Sequence, residues 1–127
     1  DAIDRFRLPF NTPRPAQAAA LAALEDEAFA EASVRIAEEG RLGLAQILRA
    51  YGFAPLPSAT NFVTARAPQG RTAAAIEAAL AQRGVLVRGL ANYGMPDFLR
   101  ITIGAPEAMA ALASALEDSV QPRPDGL

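Results

Sequence analysis

The chain holds 127 residues, 14 of them acidic and 12 basic, for a formal net charge of −2. All of the basic residues are arginine; lysine, histidine, cysteine and tryptophan are missing altogether. Those absences exclude disulfides, thiol chemistry and cysteine-based metal sites, the usual imidazole base and metal ligand, and a Schiff base on any side chain of this polypeptide.

The length suits one domain. A slightly acidic protein with dispersed arginines lacks the basic stripe that nucleic acid demands, so no nucleic-acid partner is expected. Hydrophobic residues make up 51% of the chain, but 30 residues are alanine, which favours helix and adds little buried surface. No run of about 18 large apolar residues is present, so no membrane span is expected. The opening Asp1-Ala2-Ile3-Asp4-Arg5 has neither a basic nor an apolar signal region, and the expectation is a soluble cytoplasmic protein. It has no initiating Met and begins within an amphipathic segment, which reads as a cut edge.

Pro9, Pro13 and Pro15 enforce extended backbone around Phe10-Asn11. Thr12-Pro13 can open a helix through the alanine-rich stretch from Ala16 to about Leu24. A second helix is predicted from about Asp26 to Tyr51. Its larger apolar residues, Phe29, Ile36, Leu44, Ile47, Leu48 and Tyr51, recur at helical intervals. Gly40 and Gly43 weaken its middle, each by about 1 kcal/mol relative to alanine, and Gly52 stands where a C-cap belongs. Pro55 and Pro57 mark an extended linker, after which residues 61–66 alternate like a strand. Pro68-Gln69-Gly70 is a turn, and a helix over 71–83 buries Ile76 and Leu80. Residues 85–88 form a second strand, 89–97 a loop, 98–103 a third strand, and about 107–119 a last helix with Met109, Leu112 and Leu116 inward. The expected class is α+β. A helical segment, 1–52, precedes a two-layer β-α-β-β-α domain, 53–120, with a frayed tail at 121–127.

The third strand carries the strongest chemical signal. Alternation puts Leu99, Ile101 and Ile103 on one face and Phe98, Arg100 and Thr102 on the other. An arginine between Leu99 and Ile101 is costly unless something pairs with it. In the second strand the same rule separates Val85 and Val87 from Leu86 and Arg88. If the two strands pair through the intervening loop, two guanidiniums share the uncovered face. Such a pair grips carboxylate or phosphate bidentately and cannot lose its charge. The competing reading, favoured by pattern alone, is that Asp97, Glu107 or Glu117 neutralises each arginine in a structural ion pair. Asn61 could meet a ligand or cap a turn. Tyr93 could line a pocket or a surface turn. Asn11 could simply fix the bend. No carboxylate pair, metal cluster or phosphate loop is evident.

At these residues the sequence resembles a known family. Pro9-Phe10-Asn11 with Ala16-Gln17, and Pro57-Ser58 with Asn61-Phe62-Val63, are similar to segments of histidinol-phosphate aminotransferases. The longest match is Arg83-Gly84-Val85-Leu86-Val87-Arg88-Gly89-Leu90, then Tyr93-Gly94 and Leu99-Arg100-Ile101-Thr102-Ile103-Gly104. The last strand is shared with related aminotransferases and decarboxylases of pyridoxal-phosphate fold type I.

The resemblance covers nearly the whole chain. It implies the last third of such an enzyme: the inter-domain helix and the small C-terminal domain. It further implies that Arg100 grips the substrate α-carboxylate, that Arg88 lies by the phosphate of histidinol phosphate, and that Asn11 and Tyr93 lie near the domain cleft. The implied reaction moves an amino group between L-histidinol phosphate and 2-oxoglutarate through pyridoxal phosphate, which supplies the electron sink. The implied partners are a phosphorylated amino substrate, a 2-oxo acid, the enzyme's large domain and a second subunit of a homodimer. The family's Ser-x-x-Lys segment and its cofactor-holding residues precede this stretch. With no lysine, the chain alone is expected to be silent and to contribute no catalytic, cofactor-binding or metal-binding residue. The alternatives are an amino-acid-phosphate decarboxylase, an aromatic aminotransferase, or a free-standing module for dimerisation or ligand binding.

Overall fold

The computed structural model describes Arg5 and residues 12–120. The elements follow in the order α1 (Arg14–Glu25), α2 (Glu27–Ala50), β1 (Ala54–Pro55), β2 (Phe62–Arg66), α3 (Ala73–Ala81), β3 (Arg88–Leu90), β4 (Met95–Thr102) and α4 (Pro106–Ser119). The expected α+β class is found. The expected frayed tail, 121–127, lies outside the described residues, as does Asn11.

The chain divides into two compact units, one ending at Val34 and the other beginning at Arg35. In the first, proline opens α1 and the Gln17 side-chain amide donates to the Thr12 carbonyl at 2.9 Å. None of the α1 residues is buried. Asp26 breaks the helix, and its carboxylate accepts from the Phe29 N–H at 3.0 Å, capping the start of α2.

In the second unit α2 buries Leu44 and Leu48, with Ile47 and Tyr51 packed beside them. The apolar stripe along this helix does not bury throughout, since Phe29 and Ile36 stay exposed. Periodicity identifies an apolar face but not what covers it. Gly40 has a reason that helix propensity hides: a Cβ there would overlap the Ile103 Cγ2 methyl, so the glycine lets α2 approach the end of the sheet. Gly52 closes α2 at φ +78°, its N–H donating to the Arg49 carbonyl at 2.9 Å.

The sheet order is β1-β2-β4-β3, and each neighbouring pair is antiparallel. Pro55 occupies an edge strand, where a missing N–H is tolerated. Register sets Val63 opposite Ile101 and Ala65 opposite Leu99. These four are buried with Ile76 and Leu80 of α3 and Leu112 and Leu116 of α4, so the helices cover one face of the sheet.

The strands differ from expectation in three places: the expected linker at Pro55 pairs with β2 as a fourth, edge strand, and two strand bounds shift. Val85, Leu86 and Val87 alternate half-buried, exposed and half-buried, yet they do not pair. The Val85 N–H donates to the Leu80 carbonyl at 3.0 Å, which holds this segment to the end of α3, and pairing with β4 begins only at Arg88. Conversely, β4 begins at Met95 rather than Phe98. The expected loop contracts to a 3-10 turn, Ala91–Tyr93, closed by Gly94 at φ +74°. Pro96 fits because the β3–β4 ladder is irregular there, passing from Gly89 opposite Leu99 to Leu90 opposite Met95.

The two glycines inside α2 should respond oppositely to alanine. Gly43 faces open space, so Gly43→Ala should raise stability by about 1 kcal/mol. Gly40→Ala should lower it by about 1–3 kcal/mol through overpacking against Ile103. Denaturant melts of the two variants check the contrast; a gain for both would contradict the close approach.

Candidate functional site

The face of the sheet opposite the core carries Phe62 and Thr64 from β2, Phe98, Arg100 and Thr102 from β4, and Arg88 from β3. Antiparallel register makes one row of them: Thr64 stands opposite Arg100, and Arg100 stands opposite Arg88. Residues directly opposed in this way have Cα atoms about 4.5–5.5 Å apart. Like charges placed so are destabilising unless something compensates them.

Among the described residues no internal acid compensates them. Asp97 pairs instead with Arg66 at 3.3 Å, and Asp118 with Arg83 at 3.4 Å; both pairs are at the surface. Among the described residues neither Arg88 nor Arg100 has a carboxylate within 4.0 Å, so the structural ion pairs expected with Asp97, Glu107 or Glu117 do not form. Each arginine is instead met by an aromatic ring. The Arg100 Cζ lies over the Phe62 ring, 4.9 Å from its centroid. The Arg88 Cζ lies 5.5 Å from the Tyr93 centroid, and its Nη2 donates to the Tyr93 hydroxyl at 3.0 Å. A ring attracts the cation without cancelling its charge. Both guanidiniums therefore retain donors for an anion. Arg100 is half-buried, while Arg88 and Tyr93 are exposed.

Local structure fixes this row. Gly89, next to Arg88, donates its N–H to Glu77 Oε1 of α3 at 2.9 Å. A Cβ at position 89 would overlap that carboxylate, so any larger residue there would displace the Glu77 side chain. Tyr93 is placed by the 3-10 turn that joins β3 to β4. On the other side, the Ser58 hydroxyl donates to the Phe62 carbonyl at 2.6 Å and shapes the entry to β2.

The structure thus brings Arg88, Arg100 and Tyr93 together. Asn61 has a backbone role, its carbonyl accepting from the Ile103 N–H at 2.9 Å, while Ser58 and Thr60 make the local turn. Three contributors are absent from the sequence-based set: Phe62, Thr64 and Glu77. Alternation along β2 puts Phe62 and Thr64 in one phase, but only the register puts that phase beside Arg100. Two grooves elsewhere, of about 520 Å³ along α2 and the 55–58 linker and about 670 Å³ between α2 and the start of α4, are lined by neither arginine.

A family model described as aminotransferase class I and II matches residues 1–116. The chain belongs to the class I and II aminotransferases. It is 45% identical over 120 residues to a histidinol-phosphate aminotransferase of Rhodopseudomonas palustris (strain BisA53), covering 93% of the chain and 33% of that protein. It is 47% identical over 116 residues to histidinol-phosphate aminotransferase 1 of Caulobacter vibrioides, covering 90% of the chain and 32% of that protein. The chain spans about a third of the length of the curated relatives it matches. Among solved structures, the histidinol-phosphate aminotransferase of Clostridium acetobutylicum superposes with a TM-score of 0.73 at 21% identity, over 81% of the chain and 32% of that protein. A decarboxylase of Sulfurospirillum multivorans does so with a TM-score of 0.59 at 23% identity, over 65% of the chain and 25% of that protein. These two likenesses show the fold.

The Glu77 carboxylate should anchor β3 and hence Arg88. Glu77→Ala should speed hydrogen exchange at the Gly89 amide while leaving that of Ile101, in the centre of the sheet, unchanged. Equal protection of Gly89 in both proteins would remove the anchor from the account.

Proposed function

We propose that the chain is the C-terminal portion of a pyridoxal-phosphate-dependent histidinol-phosphate aminotransferase, moving an amino group between L-histidinol phosphate and 2-oxoglutarate in histidine biosynthesis. In this reading residues 1–52 are the inter-domain segment and 53–120 the small domain. A large domain outside this chain, a homodimeric partner and a cytoplasmic location complete it. One observation carries the reading: Arg88 and Arg100 are opposed across two strands, and among the described residues neither is paired with an acid.

The two substrates explain why permanent guanidiniums suit the task. A carboxylate adjoins the reacting carbon in 2-oxoglutarate, whereas histidinol phosphate carries a phosphate ester in the corresponding place. A site that serves both in turn needs donors that accept either anion and never lose charge. Arg100, half-buried, takes the carboxylate. Arg88, more exposed and steadied by the Tyr93 hydroxyl, meets the phosphate. Asn11 is assigned to the same cleft from sequence alone. Pyridoxal phosphate supplies the electron sink when bound. The chain has no lysine to hold that cofactor covalently, so its residues bind and orient substrate, and the chain alone is silent.

The decarboxylase alternative shares the fold and the anion requirement, and amino-donor profiling of the complete enzyme separates the two. In that enzyme Arg100→Ala should cost about 2–4 kcal/mol in kcat/KM. Arg88→Lys should also impair turnover, because an ammonium cannot reproduce the planar fork. Steady-state kinetics checks both, with 2-oxoglutarate varied for the Arg100 variant and histidinol phosphate varied for the Arg88 variant, and a parental kcat/KM for 2-oxoglutarate in the Arg100 variant would remove its assigned role.

A further inference from the structure

We infer that Phe62 is a positioning residue for Arg100, holding the guanidinium over its ring so that the donors stay directed at the substrate anion; this rests on the anion-binding reading of Arg100. Phe62 stands opposite Thr102 and is thus the diagonal neighbour of Arg100, a separation that aromatic and long side chains span. The Arg100 Cζ lies 4.9 Å from the ring centroid.

A purely structural phenylalanine would belong to the core, and this one does not. The core takes Val63 and Ala65 from β2, and the half-buried hydrophobic residues packed against it do not include Phe62. Phe62 lies instead on the arginine face. Its backbone is held from both sides: its carbonyl accepts from the Ser58 hydroxyl at 2.6 Å and the Thr60 hydroxyl at 3.3 Å, and its N–H donates to Thr60 Oγ1 at 3.4 Å. Arg41 of α2 donates to the Thr60 carbonyl at 3.0 Å, which ties the same loop to the helix. The backbone that carries the ring is therefore held in place.

The alternative platform, a carboxylate, would fix Arg100 equally well and at the same time occupy the donors the substrate needs. An aromatic ring attracts the cation through its quadrupole and leaves the fork's N–H groups free for a bidentate partner. Removing the ring should weaken anion binding without touching the chemical step.

The test is a double-mutant cycle in the complete enzyme. Phe62→Leu should raise KM for the anionic substrates about three- to tenfold with kcat within about twofold of the parent, and Phe62→Tyr should restore KM. In an Arg100→Ala background the same Phe62→Leu change should have no further effect. Unchanged KM in Phe62→Leu, or an equal loss with and without Arg100, overturns the inference while the anion-binding reading stands. An Arg100→Ala enzyme with parental kinetics overturns both. If Phe62→Leu lowers the melting temperature, Phe62→Met, which has a similar volume but a more adaptable side chain, must show the same KM effect and the same dependence on Arg100.

Discussion

The pairing of Arg88 with Arg100 across β3 and β4 is the constraint on which the site depends. Two permanent cations opposed in a sheet repel each other, and no protonation change can relieve them. A sequence shaped for stability alone would place an acid between them or exchange one arginine for a neutral residue. Here the acids nearby serve other partners: Asp97 holds Arg66, and Glu77 holds the Gly89 amide. Among the described residues no acid cancels the repulsion, and in the proposed reading the substrate anion does so.

What makes this tolerable is the stiffness of the layer beneath. Leu99 and Ile101 flank Arg100 in sequence, point the other way and are buried among α3, α4 and the last turns of α2. Each anchors the strand on either side of the charged residue. The edge strand β3 is short and would be weak by itself, but Glu77 ties it to α3 next to the arginine it carries. Aromatic rings then hold the side chains without consuming their charge. Rigid backbone, uncompensated charge and aromatic support act together; any one alone would give a strained or a neutralised surface.

Much of this was legible in the residues. Helix positions followed from alanine content, capping glycines and apolar spacing, and alternation along 98–103 correctly separated Arg100 from its buried neighbours. The opposed arginines followed conditionally, on the supposition that the two strands pair. Register itself was not legible, because period-two patterns give a strand's faces but not which residue meets which. For that reason the pattern alone does not single out Phe62 and Thr64, and Val85-Leu86-Val87 has the pattern of a paired strand although only 88–90 pair. The Gly- and Pro-containing stretch before Phe98 read as loop for a similar reason, since a ladder irregularity that accommodates Pro96 leaves no mark in composition. The expectation of internal ion pairs failed because proximity in sequence, as of Asp97 to Arg100, puts side chains on opposite strand faces or at different partners.

The central claim is that one anion engages a face prepared by two unneutralised guanidiniums. A crystal structure of the complete enzyme with histidinol phosphate bound tests it most directly. The account predicts phosphate oxygens about 2.7–3.2 Å from the Arg88 guanidinium nitrogens, with no protein carboxylate intervening. Arginines each closed on a carboxylate of the remaining polypeptide, with the phosphate bound elsewhere, would contradict it.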